Sequence, residues 1–537
     1  MWLRRGYYGG VVLRVLFVLS MGMVHPDEFF QCPEVMAKSV FGLSHAFIPW
    51  EYQLPLPNRS VLFPSVVAGL PYSVWKALGF DANGVAFLLL PRLVLLALSF
   101  VYDVTIAMLC RRVMKVDPWG PLFAFSTSWT SWTLLTRPFS NTCESFLLLL
   151  SFVLLFHRAA STSRTALLGM TLALGTFTRF TFILFFLPLG LYLVWDNDQD
   201  MQLVASKKSS KVSGAHGCAQ GHATSAVPLP RRLGGVAHTA AVGAASFAVT
   251  CVAIVLLDTL YFHDGILPSS SSGWVVAPWN NLVYNLDPSH LAEHGLHPRT
   301  NHWLVNMPLL FGPLVVLFVF QLVQYLTNLH SNATPPFHVM CMAAVVVPVT
   351  ALSLAPHQEA RFLLPVVLPL VLATPLGTSR RLVLALWVGF NLALGLWFGV
   401  LHQGSVVPML LSSGGSLALN PFCKSSKGGD LYTEILTTGT YMPPRFALSP
   451  LNVPLHDTPL PDLHAALATQ KANDVTRVLL LVYPDPVAAK VDAILQSLDA
   501  HRTPMWTCWP FLSTETPPNQ IWNSTEWTLH AHTVTWT

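Results

Sequence analysis

Residues Tyr7 to Val24 read YYGGVVLRVLFVLSMGMV, and the next seven, His25 to Gln31, read HPDEFFQ. The first stretch is apolar and close to membrane length, and two adjacent carboxylates follow it directly. Ionised groups beside hydrocarbon are costly and usually mark function. The plain alternative is an acidic start to a surface loop. The opening Met1-Trp2-Leu3-Arg4-Arg5 has the charge of a signal peptide, but no small-residue cleavage site follows,. The segment therefore reads as a retained first transmembrane helix.

Working outward, 53% of the 537 residues are hydrophobic and only 10% are charged. Soluble domains carry about 25% charged residues, so the chain reads as an all-α polytopic membrane protein. Its 17 Trp and 32 Phe suit membrane interfaces and a packed bundle,. A net charge of +4 without a basic run excludes a nucleic-acid surface,. The eight Cys form no CxxC pair, which argues against a zinc site,.

Further apolar segments lie at 84–110, 119–135, 142–157, 165–178, 181–195, 236–262, 303–326, 338–356, 362–376 and 382–401. Several fall short of the ~20 residues of a perpendicular span. The stretch 61–79 is apolar but broken by Pro64, Gly69 and Pro71. If it does not cross and the N-terminus is cytosolic, every strongly basic loop falls on the cytosolic side. Those loops hold Arg111, Arg112 and Lys115, then Arg158 and Arg164, then Lys207 to Arg232, then Arg380 and Arg381. The positive-inside rule thus selects eleven spans, with residues 1–401 as the membrane domain and 402–537 as a lumenal tail.

The opposite, lumenal side receives the loop 25–83, the turns at 136–141, 179–180 and 357–361, the loop 263–302, and the tail. Residues 196–234, rich in Ser, Lys, Gly and His, read as a disordered cytosolic linker,. In the tail, the apolar run Val478 to Val482 reads as a buried strand of a small mixed α/β domain. Sequons at Asn58-Arg59-Ser60 and Asn523-Ser524-Thr525 read as glycosylation acceptors,. Cys423 and Cys508 share the tail and an oxidising compartment, so they are candidates to pair.

The unusual polar residues gather on that same side. Arg137, Arg179 and Arg361 occupy sharp turns between spans. One such cation reads as an interfacial anchor. Three of them, with Asp27 and Glu28, point to an anionic headgroup, because the guanidinium fork bonds phosphate in two places. In His357-Gln358-Glu359-Ala360-Arg361, Glu359 is a partner for an Arg, and His357 a contact for phosphate or sugar. The loop 263–302 carries Asn285, His294, His297 and His302. Its His spacing lacks Cys or a carboxylate at helical spacing, so sugar binding is the better reading, and no metal or cofactor is expected.

Together these motifs resemble the endoplasmic-reticulum mannosyltransferases that use dolichyl-phosphate mannose, in the GT-C superfamily. The resemblance rests on His25 to Gln31, on Thr136 to Asn141 (TRPFSN) and on His357 to Phe362 (HQEARF). Tyr284-Asn285-Leu286, His294-Gly295-x-His297, Leu401-His402-Gln403-Gly404 and Tyr441-Met442-Pro443-Pro444-Arg445 resemble the branch that adds the fourth mannose of GPI anchors. It implies a GT-C fold in an endoplasmic-reticulum membrane, the donor dolichyl-phosphate mannose, and a GPI-precursor glycolipid as acceptor at the 2-hydroxyl of its third mannose. Inversion at the sugar needs one base. Asp27 is the candidate, with Glu28 orienting it or binding sugar hydroxyls. Arg137, Arg179 and Arg361 are candidates for the phosphate, and His25, Asn141, Asn285, His294, His297, His357, Glu359 and His402 for substrate contact. Sister transferases acting on the GPI third mannose or on N-glycan precursors share the first three motifs. A lipid or solute transporter instead predicts mid-membrane polarity and an inverted repeat.

Overall fold

The computed structural model describes residues 1–157, 160–213, 228–270, 273–287, 295–328, 334–374, 376–378, 381–416, 421–425, 432–473 and 478–536. Every apolar segment read from the sequence carries helix. The main ones are α1 (Trp2–Phe17), α2 (Asp27–Phe30), α3 (Pro33–Phe41), α4 (Gly84–Leu109), α5 (Ser140–His157), α6 (Thr162–Thr178), α7 (Phe182–Ser213), α8 (Leu229–Phe262) and α9 (Ala277–Leu286). After the loop come α10 (Pro313–Thr327), α11 (Pro336–Leu352), α12 (Val367–Ala373), α13 (Arg381–Leu396) and α14 (Val406–Ser413). Among the described residues, four helices are long and apolar enough to cross a membrane: Gly84–Met114, Ser140–His157, Leu229–Phe262 and Arg381–Leu401. Local signals set several starts. Asn83 accepts the Ala86 N–H at the head of α4, and Ser161 accepts the Arg164 N–H at the head of α6,.

Two expectations are corrected, at the end of the first helix and in the polar stretch 196–234. The first helix does not run to Val24 but stops at Phe17. The carbonyls of Val18, Ser20 and Gly22 are taken by Arg92 and Arg137, so they are unavailable to a continuing helix. The stretch 61–79 is helical, as Leu62–Pro64, a π turn at Ser65–Gly69, and Leu70–Ala77, packed on α3. The polar stretch 196–234 is helical from its start to Ser213 and again from Leu229. Its acidic groups are partnered: Asp196 meets Arg164 at 2.9 Å and Asp198 meets Arg232 at 2.5 Å. Residues 214–227 lie outside the described residues.

Polar groups also sit inside the bundle. Arg14 of α1 meets Asp103 of α4 at 2.7 Å with both side chains buried. Asp258 of α8 accepts from the Ser60 hydroxyl and the Val61 N–H at 2.9 and 3.1 Å, fastening α8 to the first loop.

The tail forms a six-stranded mixed sheet: β1 (Cys423–Ser425), β2 (Glu434–Thr437), β3 (Leu455–Asp457), β4 (Leu479–Pro484), β5 (Ala500–Cys508) and β6 (Leu529–Trp536). Its strand order is β1-β5-β6-β4-β2-β3. The apolar run continues from Val478 into β4, which is buried throughout between β2 and β6. Helices α15 (Leu463–Asn473) and α16 (Ala488–Ser497) cover one face through Leu463, Leu467, Val491 and Leu495. The opposite face joins the core around α3 and α14. Cys423 and Cys508, opposite each other in register, are disulfide-bonded.

Candidate active site

Asp27 and Glu28 open α2, and neighbouring residues on a helix do not share a face. They meet different fates. Glu28 points inward and is fully buried. Its Oε1 receives Nε of Arg92 at 2.9 Å as well as the Arg92 Nη2, and its Oε2 receives Nη1 of Arg137 at 2.6 Å. Arg137 also donates to the Gly22 carbonyl at 2.5 Å and to the Ser20 hydroxyl at 3.0 Å. Each of the two is thus bonded mainly to partners inside the fold, and Nε of Arg137 remains a buried donor without an acceptor.

Asp27 faces outward, its side chain 28% exposed. Its Oδ2 receives Nη1 of Arg361 at 2.7 Å and Nε2 of Gln31 at 2.6 Å. Gln31 is anchored in turn by the Ser140 hydroxyl at 2.9 Å. His25 Nδ1 receives the Asp27 N–H at 3.2 Å and Arg361 at 3.1 Å. Two donors need its lone pair, so its proton sits on Nε2. Burial opposes charge on Asp27, but the Arg361 guanidinium, together with His25 and Arg59, outweighs it and holds this carboxyl well below the usual range,.

Arg361 also donates through Nε to Glu359, so one guanidinium bridges two carboxylates. Burial opposes ionisation of Glu359 as well, and Arg361 and His357 outweigh it to hold its carboxyl low. His357 Nε2 lies 3.0 Å from Glu359 and Nδ1 3.2 Å from the Gly295 carbonyl. Burial disfavours its charge, yet Glu359 outweighs this and raises its pKa. His297 belongs to the same seam: its Nδ1 accepts the Gln358 N–H at 3.3 Å, and its own N–H meets the Pro356 carbonyl at 2.8 Å. The end of the 263–302 loop is thereby stitched to the HQEARF turn.

Arg179, at the end of α6, shares the ring of Phe362 with Arg361, at 4.8 and 5.9 Å from its centroid. Nη1 donates to Ser140 at 3.2 Å, but Nε lies 3.5 Å from buried Glu144 and is without a bonded acceptor. Burial, with Arg59 nearby, lowers its pKa to about 10. Asn141 is buried near the start of α5, three residues ahead of Glu144. His402 is buried beside the motif, its Nδ1 2.6 Å from the Met23 carbonyl. Asn285 turns its carboxamide to Asn281 within α9 and does not join the group. His294 lies outside the described residues.

Four participants escaped the sequence reading. Arg92 and Glu144 lie inside apolar segments, where an ionisable residue is itself the signal. Gln31 stood in the motif without a role. Arg59 was read only as the middle of a sequon, yet it pairs with Glu51 at 2.9 Å and acts on Asp27 and Arg179. The glycosylation reading at Asn58 is corrected too. Asn58 is 5% exposed and Ser60 is tied to Asp258, leaving no room for a glycan. Asn523 sits on a half-exposed surface turn, where its Oδ1 accepts from Thr525.

Residues 7–414 match the model of the Alg9-like mannosyltransferase family. The chain belongs to this family. It is a membrane glycosyltransferase, and the acidic turn, its arginines and the HQEARF turn all lie within the matched stretch. Over 83% of the chain and 76% of the relative, it is 34% identical to the human "GPI alpha-1,2-mannosyltransferase 4". "GPI mannosyltransferase 4" of Emericella nidulans is 32% identical, again over 83% of the chain and 76% of that relative. Among solved structures, ArnT from Cupriavidus metallidurans bound to undecaprenyl phosphate is 11% identical, with a TM-score of 0.48 over 99% of this chain and 98% of that one.

Proposed function

We propose that this mannosyltransferase moves mannose from dolichyl-phosphate mannose to the 2-hydroxyl of the third mannose of a GPI-anchor precursor. The reaction forms an α-1,2 link with inversion at C1. The names of the relatives support the GPI acceptor, and the 1,2 linkage follows the name of the human one. The charge placement of the loops supports an endoplasmic-reticulum membrane protein with a cytosolic N-terminus and a lumenal site.

The observation that carries the mechanism is Asp27, half-open and held by Arg361 and Gln31 beside a second, loosely held arginine. The acceptor hydroxyl gives its proton to Asp27 as its oxygen bonds to C1. The C1–O bond to phosphate breaks, and dolichyl phosphate leaves with the electron pair. A positioned base contributes about 10²–10⁴-fold, and cations aimed at the leaving phosphate lower the barrier further. Arg361 and Arg179 take that role, and Arg137 with Glu28 forms the buried floor that fixes α2.

A carboxylate pinned to a guanidinium is a poor base. Donor phosphate competes with Asp27 for Arg361, so donor binding loosens the pair and strengthens the base at the moment it is needed. An inverting reaction needs a single base, and Asp27, the more open of the two carboxylates on Arg361 at 28% against 24%, is the group assigned to it.

The test is mannose transfer by membranes containing the protein, on two- and three-mannose GPI lipids, with Asp27→Asn alongside. Transfer to the three-mannose lipid alone, abolished by the substitution, is expected. Transfer to the two-mannose lipid moves the assignment to the sister enzyme.

A further inference from the structure

The sequence Leu401-His402-Gln403-Gly404 joins the tail domain to the chain just ahead of the acidic turn, where the His402 carbonyl accepts the Met23 N–H at 2.9 Å. The Gln403 N–H donates to the Leu512 carbonyl at 2.7 Å, and the Leu512 N–H to the Leu401 carbonyl at 3.1 Å. Gln403 holds φ at +50°, strained for a non-glycine residue, and is fully buried,. A Cβ on Gly404 would stand 1.9 Å from the Val400 carbonyl oxygen and 3.1 Å from that of Pro510, so only glycine allows this approach,. The Gln403 carboxamide is spent on the tail: Oε1 accepts the Tyr441 N–H at 2.7 Å and Nε2 donates to Ser513 at 3.3 Å. Thr516 donates to the Gly439 carbonyl at 3.1 Å, tying the two tail loops to each other.

The product of this stitching is the position of one ring. Half-buried Tyr441 lies 5.3 Å from the His402 ring and 6.3 Å from the His25 ring, centroid to centroid. His25 in turn touches Asp27 on Oδ1, the oxygen not taken by Arg361. Tyr441 therefore stands on the His25 flank of Asp27, beside the rings of His25 and His402. Glu515, exposed on the neighbouring loop, is in electrostatic reach of both Tyr441 and His25.

We propose that Tyr441, held in place by Gln403, is the platform on which a pyranose ring of the acceptor glycan stacks beside Asp27. The inference rests on the functional reading above and assigns the acceptor to the tail domain. An aromatic face suits the C–H face of a sugar, while a nearby carboxylate accepts from its hydroxyls. The arginines that would draw the donor phosphate lie over the Phe362 ring and not over Tyr441, which leaves the acceptor as the occupant here.

The experiment uses the full chain in lipid, with initial rates measured against both donor and three-mannose GPI lipid, for wild type, Tyr441→Phe and Tyr441→Leu. Leu has no π face. In Tyr441→Leu the acceptor KM is expected to rise about tenfold, the scale of one aromatic stacking contact, with the donor KM unchanged. Tyr441→Phe should stay within about threefold of wild type for both. An unchanged acceptor KM in Tyr441→Leu, an equal rise in donor KM, or a Tyr441→Phe as impaired as Tyr441→Leu overturns the proposal. If Tyr441→Leu is inactive, the thermal shift given by dolichyl-phosphate mannose decides: a retained shift supports an acceptor role, and a lost one overturns it. Wild type that mannosylates a different lipid-linked glycan overturns the GPI acceptor alone, and the same variants are then read on that acceptor.

Discussion

Nη1 of Arg137 lies 2.6 Å from Oε2 of Glu28, and neither side chain is more than 1% exposed. With Arg92 on the other oxygen, one buried carboxylate is shared by two buried guanidiniums. Such a group is costly to disturb on one side only, because the remaining charges stay buried without compensation. Glu28→Gln should therefore destabilise the fold by about 3–5 kcal/mol, seen as a large fall in the thermal midpoint in detergent. Full stability with lost turnover would instead move Glu28 into the chemistry.

Asp27→Asn should behave differently. Arg361 keeps Glu359 as a partner, so the thermal midpoint should fall less than in Glu28→Gln while turnover falls about 10²–10⁴-fold. A variant that unfolds would contradict the role of Asp27 as an outward-facing base.

The acid limb of the pH–rate profile tests the competition for Arg361. In the free enzyme Asp27 sits well below the ordinary carboxylate range. Its share of stability is full above the unfolded value near 4 and is lost as pH falls through the folded one. The acid limb of kcat/KM, which reports the free enzyme, should thus lie at very low pH. In the donor complex the phosphate draws Arg361 away, so the acid limb of kcat should lie higher. Coincident limbs would count against donor-coupled activation.

Glu34 gives a pH signature of the other sign. It is fully buried, accepting the Phe47 N–H at 3.0 Å and the Phe446 N–H at 3.2 Å, and burial lifts its pKa to about 7. The folded state binds its proton more tightly than the unfolded chain does, so stability falls as pH rises from about 4 to 7. The loss is about 3 kcal/mol over that window. Unfolding midpoints measured from pH 5 to pH 8 should fall in wild type and flatten in Glu34→Gln. Parallel slopes would reject the assignment.

The apolar segments were legible because hydrocarbon burial needs long runs of one residue type, and each run carries helix. Helix ends were less so. Phe17 closes α1 because distant arginines claim the next carbonyls, a tertiary effect that no window of residues 7–24 contains. The motifs marked the right turns, since Asp27, Glu359 and Arg361 meet although more than 300 residues separate them. What the motifs could not supply was direction. Asp27 and Glu28 are adjacent and chemically alike, yet α2 turns one outward and the other inward. The Arg14–Asp103 pair shows the same limit: each residue alone is an oddity in an apolar run, and only the packing of α1 on α4 makes them partners.

Arg179 and Arg137 separate the last two roles. Both are arginines in turns and both keep a buried Nε without an acceptor. The two terminal nitrogens of Arg137 are taken by Glu28, Gly22 and Ser20 on a side chain 1% exposed, whereas Arg179, 10% exposed, gives one terminal nitrogen to Ser140 and is the more open to a ligand. A buried donor left unmatched is costly, and an arriving phosphate oxygen removes that cost. Arg179→Lys keeps the charge but loses the fork, so the donor KM should rise about tenfold, equivalent to one charge-assisted hydrogen bond, at nearly unchanged stability. Arg137→Lys should instead lower the thermal midpoint, because a lysine cannot reach Glu28, Gly22 and Ser20 together. Kinetics against donor concentration, read beside melting curves of the two variants, separate the cases. An unaltered donor KM in Arg179→Lys would remove Arg179 from the phosphate site and leave Arg361 to hold it.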